Sequence, residues 1–207
     1  MSPADITPLF TRSDGSYFFA RWGRPIVPVV FGVEDETLSV VKGAFEALCA
    51  LTGHKMAETD AESGTNVMVF FFREWSELTS IPDLDRLVEG LAEKLDVLDA
   101  QGANQYRSFR FDAEGAIQAC FIFLRMDDAL SRIPAEELAL GQVTQAMVCW
   151  SDLAFQTRSP LAKAGQTVVL RPDIAAVLRA AYDPVMPATA QDDSHALRLF
   201  ARVQACG

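Results

Sequence analysis

Residues 34–53, "EDETLSVVKGAFEALCALTG", and 66–73, "NVMVFFFR", decide the fold between them. In the first, Leu38, Val41, Phe45 and Leu48 recur every three or four residues and so share one face of a helix. Acidic residues open it, where the helix dipole favours negative charge, and Gly53 stands where a left-handed C-cap belongs. The second holds the unbroken apolar run "VMVFFF", of strand length and apolar enough to be buried on both faces. Upstream, "IVPVVFGV" (26–33) reads as a first strand, although Pro28 removes one ladder donor. Strand, helix, buried strand is the order of a parallel pair joined by a crossover helix.

Further along, "DLDRLVEGLAEKLDVLDAQG" (83–102) carries Leu84, Leu87, Leu91 and Leu95 at helical spacing and ends on Gly102. "YRSFRFDAEGAIQACFIFL" (106–124) reads as a hairpin whose turn is Asp112–Gly115. A helix is expected from Pro134 to about Trp150, with Glu136 and Glu137 in its first turn. After a loop come a helix within 171–184, stopped by Asp183-Pro184, and a last one through Leu197, Phe200 and Val203. The expected class is α+β: a mixed sheet of four or five strands, with the 34–53 and 134–150 helices on one face and a helical C-terminus. One domain is expected over 1–207, its core at about 26–184 and its last helix at about 190–205.

Composition narrows the function classes. At 207 residues the chain suits one domain, which would bury roughly 70% of its unfolded surface. Half the residues are hydrophobic and 22% are charged, a balance that folds. Eighteen basic against 28 acidic residues give −10, which repels phosphate backbones, so neither nucleic acid nor membrane is expected as a partner. Cys49, Cys120, Cys149 and Cys206 lie far apart, without a C-x-x-C, and read as reduced structural thiols. A cytoplasmic location follows, or a periplasmic one if an export signal precedes the chain.

The order of elements, with "VVKGAFEALCALTGHKMAETDAESGTNVMVFFF" (40–72) and "VLRPDIAAVLRAAYDP" (169–184), resembles the zincin metallopeptidase fold in its metzincin and matrixin branch. The likeness covers roughly 26–184; the 83–102 helix has no counterpart in small matrixins. The chain is also similar to an uncharacterised proteobacterial domain family, often predicted as lipoproteins. Two phrases carry that likeness: Arg21, Trp22, Pro25, Ile26 and Val27, then Leu170, Asp173, Leu178, Tyr182, Asp183 and Pro184.

The resemblance implies a zinc site on the helix containing "GQVTQAMVCWSD" (141–152), and the chain departs from it at every position that matters. Gly141 stands at the first ligand, Gln142 at the general-base glutamate, Gln145 at the second ligand and Ser151 at the third. Glycine offers no donor atom, and a neutral amide is a poor zinc ligand and cannot serve as a base. Val148 stands where the family has a glycine, and no methionine lies between 152 and 184. His54 and His195 are the only histidines. "MDDAL" (126–130), "DDSH" (192–195) and the pair Asp83 and Asp85 read as helix-start carboxylates. No metal and no cofactor are therefore expected.

Gln142 and Gln145 lie on a face otherwise made by Leu138 and Cys149. Two roles stay open: amides satisfied within the fold, or amides lining a cleft with Gly141, Ser151 and Asp152. Two function classes follow. One is a binding module on a disarmed zincin scaffold, holding a peptide or protein partner; the other is a hydrolase of non-zinc chemistry using Glu136, Glu137, Gln142 or Gln145. The first is favoured, and a homodimer is expected from the apolar composition. Leucine at both 142 and 145 is expected to leave folding intact.

Overall fold

Three parallel strands and one antiparallel strand form the central sheet. The computed structural model describes residues 1–62 and 64–205. Strands β1 (Phe19–Ala20), β2 (Pro28–Phe31), β3 (Val67–Phe72), β4 (Gln105–Phe111) and β5 (Ile117–Arg125) precede β6 (Leu161–Ala164), β7 (Thr167–Leu170) and β8 (Thr189–Ala190). Helices are α1 (Pro3–Ile6), α2 (Asp35–Thr52), α3 (Leu84–Leu87), α4 (Leu91–Ala100), α5 (Ala135–Ala146), α6 (Pro172–Ala181) and α7 (Ser194–Ala205). The sheet order is β2-β3-β5-β4; β2, β3 and β5 run parallel and β4 antiparallel to β5. This is the mixed sheet of an α+β chain, with two-stranded pairs β1–β8 and β6–β7 beside it.

The apolar run of β3 works on both faces. Val67 and Val69 join Cys120 and Ile122 of β5 against Val41, Phe45 and Leu48 of α2 and Leu138 and Val143 of α5. The two long helices thus share one face and touch each other. Phe70 and Phe72 face the other way, with Phe121 and Phe123, against Trp75, Leu84, Leu91 and Leu95. Pro28 costs nothing, because it opens β2 at the edge of the sheet. Gly53 caps α2 in the left-handed region (φ 68°), as its position predicts.

Four expectations need correction. The strand expected over 26–33 is confined to Pro28–Phe31; Ile26 makes an isolated bridge to Met56 instead. The helix expected over 83–102 is broken: Val88 is extended and Gly90 takes φ 64°, so α3 buries Leu84 and α4 buries Leu91 and Leu95 as separate helices. The core is wider than 26–184, since Ile6, Phe10, Phe19, Ala196 and Leu199 are fully buried in the same cluster as the sheet. The hairpin β6–β7 lies in what reads as loop. No helix among the described residues is long and apolar enough to cross a membrane.

Candidate functional site

Helix α5 is built to end early. Pro134, extended (φ −52°, ψ 140°), is its N-cap, and Glu136 and Glu137 lie in its first turn. A helix leaves its last carbonyls without intrahelical donors. Here aromatic side chains supply them: Trp150 Nε1 donates to Thr144 O (3.1 Å), Trp22 Nε1 to Ala146 O (2.9 Å) and Tyr182 Oη to Met147 O (2.5 Å). Val148 then bridges to Arg21, and Cys149 N donates to Ala20 O (2.8 Å). The helix therefore stops at Ala146, not near Trp150 as its sequence suggests. Trp22 and Tyr182, from two phrases 160 residues apart in sequence, meet at this helix end.

Gln142 and Gln145 project from α5 onto strand β4. Arg107 Nη2 donates to Gln142 Oε1 (2.6 Å) and Nη1 to Gln145 Oε1 (3.3 Å). Gln142 Nε2 donates in turn to Gln105 Oε1 (2.5 Å), and Gln145 Nε2 to Gly141 O (3.3 Å). Arg107 has no carboxylate within ion-pair range among the described residues, and its Nε is buried without a partner. Burial pushes its guanidinium below the usual range, yet arginine stays charged. So a cation is held by two neutral amide oxygens, an arrangement that neither donates nor removes protons at neutral pH.

Beside this clamp, β4 presents a free edge. Arg125 N donates to Asn104 O (2.9 Å). Hydrogen-bonded pairs alternate along an antiparallel ladder, so with the register Gln105↔Leu124 and Arg107↔Ile122 the backbones of Gln105, Arg107 and Phe109 turn away from β5. Those backbone groups meet no other hydrogen-bond partner among the described residues. A bulge at Arg110/Phe111 and the arginines at 107 and 110 are devices that keep such an edge from indiscriminate pairing.

The other residues singled out from sequence divide. Gly141, on α5, supplies only its carbonyl to Gln145. Ser151 and Asp152 do not join the glutamines; they pin the N-terminal segment. Ser151 Oγ donates to Thr11 O (2.6 Å), Ser151 N to Leu9 O (2.8 Å), and Asp152 Oδ1 accepts from Ser13 N (2.9 Å). With the Gln145 oxygen facing Arg107 and the Ser151 hydroxyl committed to a carbonyl, neither is presented as a metal ligand. Glu136 and Glu137 stand in the first turn of α5 and bond neither glutamine. Sequence reasoning missed Arg107 and Gln105. Their signal was the polar alternation within "QYRSF", too weak by itself to name a partner.

The described cysteines and both histidines lie apart from the amide clamp's hydrogen bonds. Cys49, Cys120 and Cys149 are free and buried, and burial pushes the Cys49 thiol up to about 11 and Cys120 to about 12. Cys206 lies outside the described residues. Among the described residues no three His, Cys, Asp or Glu side chains gather as a metal site would need. His54 Nε2 bonds Arg24 O (2.9 Å), whereas His195 is fully buried, its Nδ1 bonded to Tyr17 Oη (2.9 Å) and its Nε2 unpartnered.

Burial, reinforced by Arg198, holds His195 down to about 4. An unfolded histidine binds its proton near pH 6.5. The stabilisation is thus complete above that pH and is lost as pH falls toward 4, where both states are charged. The full loss is about 3 kcal/mol, from ~1.4 kcal/mol per unit. Urea unfolding at pH 7.5 and 4.5 should show it as a slope that His195→Gln flattens; an equal slope in the variant would refute it.

Cavities of about 870, 550, 530 and 180 Å³ open on the surface, and neither Gln142 nor Gln145 lines any of these four. Comparison with models of known families, with curated proteins and with solved structures finds nothing that matches this chain.

Proposed function

We propose that the chain is a non-catalytic binding module on a zincin-like scaffold, taking an extended peptide or protein segment along β4. The observation that carries the reading is the row of outward backbone groups on Gln105, Arg107 and Phe109, beside the helix that bears Gln142 and Gln145. Strand addition needs such an edge; main-chain hydrogen bonds give affinity, and side chains next to it give selectivity. In the zincins that the sequence resembles, an edge strand beside the active-site helix holds the substrate in this way. Here the side chains next to the edge are amides and a guanidinium, which bind but do not hydrolyse.

The test is selection of a displayed heptapeptide library on the purified protein. Enrichment of extended sequences is expected, each recovered uncut by mass spectrometry. Gln105→Pro deletes an N–H that points away from β5, so the ladder survives and peptide capture is lost. Gln105→Ala keeps that N–H and should keep capture. No enrichment, cleaved peptides, or equal capture by the proline variant would each end the reading. The same edge would serve a homodimer through β4 of a second copy, and sedimentation velocity distinguishes it: a monomer at high concentration leaves the edge to a foreign chain.

A further inference from the structure

Strand β4 is cationic in an acidic chain. Residues 105–111, "QYRSFRF", hold Arg107 and Arg110 and no carboxylate, against a net charge of −10 for the whole. The two side chains leave on opposite faces of the strand, because successive residues alternate. Arg107 turns toward α5, on the side of Phe109 and Phe111, which pack on the core beneath that helix. Arg110 turns the other way and lines a small cavity with Met68 and Phe121 of the opposite core.

Neither cation is neutralised from within. Arg107 spends two of its five N–H donors on the uncharged oxygens of Gln142 and Gln145, and it stays partly exposed. Arg110 is exposed and forms no ion pair among the described residues. The carboxylates of its neighbourhood are engaged elsewhere. Asp112 holds the hairpin turn through the backbones of Glu114 and Ala116. Glu62, which lines the same cavity as Arg110, accepts from Arg24 (2.8 Å) and Gln118 (2.9 Å).

Pairing along this edge therefore selects by charge. Residues directly opposite on paired strands lie side by side, so opposite charges attract and like charges repel. A second copy of β4 would bring four arginines together without a carboxylate, whichever two-fold register it took. A strand bearing carboxylates at the facing positions would meet both cations. In an extended chain, side chains three residues apart fall on opposite faces, as Arg107 and Arg110 do.

We propose, resting on the reading of β4 as a docking edge, that the segment it takes is acidic, with two carboxylates three residues apart, one facing Arg107 and the other Arg110.

The test is fluorescence anisotropy of labelled heptapeptides of alternating valine and threonine, titrated with the purified full chain. One peptide carries two glutamates three residues apart, a second has glutamines there and a third lysines. At about 20 mM salt the acidic peptide should bind about tenfold more tightly than the glutamine peptide, from about threefold per facing pair. The lysine peptide should bind more weakly than either. At about 300 mM salt the preference should shrink, because salt screens exposed charges. Arg110→Gln should lower the preference to about threefold, and Arg110→Glu should abolish it. Both changes fall on an exposed side chain, and circular dichroism checks that the fold is kept. Equal binding of the acidic and glutamine peptides, or a preference that Arg110→Glu leaves intact, would overturn the charge selection and leave strand docking standing. Acidic binding that survives Gln105→Pro, or no binding by any of the three peptides, would overturn both.

Discussion

Replacing Gln142 and Gln145 together by leucine should destabilise the protein by about 3 kcal/mol or more, within the roughly 3–5 kcal/mol that follows when a buried charge loses its partners. Viewed from the sequence, the substitution looks harmless: two polar residues on an apolar helix face become apolar. The structure reverses that expectation. Both amide oxygens accept from Arg107, whose Nε already has no partner. The double variant would strand a guanidinium against two leucines, with no water-facing route for its inner nitrogen. The partial exposure of Arg107 keeps the expected loss at the lower end of the range. Gln142 should matter more than Gln145, because its bond is 2.6 Å against 3.3 Å.

Adding Arg107→Met to the double variant should restore most of the loss, since removing every member of a polar group is far less costly than removing half of it. Urea denaturation of the wild type, the double and the triple variant measures this. At about 2–4 °C per kcal/mol for a chain of this size, the double variant should melt about 6–12 °C lower. A double variant within about 0.5 kcal/mol of wild type, the usual range of inert surface changes, would show that the clamp contributes nothing to the fold.

What the sequence made legible, and what it did not, divides by distance along the chain. The amphipathic period of α2, the apolar run of β3 and the turn at Asp112–Gly115 are local, and each forms where its residues say it should. The helix at 83–102 broke because Gly90 permits a left-handed residue that leucine spacing alone does not reveal. The hairpin β6–β7 escaped because its arms are only four residues each and partly exposed, so neither carries a buried alternation. The site shows the same division. Two glutamines on an apolar face announced that something polar must meet them, but the partner, Arg107, lies 35 and 38 positions away on a strand edge. Ser151 and Asp152 looked like site residues because a zinc-helix spacing ran through them. Their partners at Thr11 and Ser13, about 140 residues upstream, make them fasteners of the N-terminal segment instead.

Trp22→Ala should cost about 3–5 kcal/mol, the range for deleting a buried aromatic side chain. Trp22 is fully buried, and its backbone bridges to Ile117 at the start of β5. Its indole N–H also ends α5, donating to Ala146 O next to the Met147 carbonyl that Tyr182 satisfies. Two contributions are therefore bound up in one side chain, and Trp22→Phe separates them. Phenylalanine fills most of the space but leaves the Ala146 carbonyl orphaned, at about 1–3 kcal/mol. Tyr182→Phe, which removes only a hydroxyl donor, should fall in that same range. The structural consequence reaches the clamp, because Gln145 sits in the last turn that these donors hold. Hydrogen exchange should quicken at the amides of that turn in both phenylalanine variants, while the amides of α2 keep their protection. A Trp22→Ala loss below about 1 kcal/mol, or exchange that quickens equally throughout, would mean that α5 ends at Ala146 for reasons other than its aromatic caps.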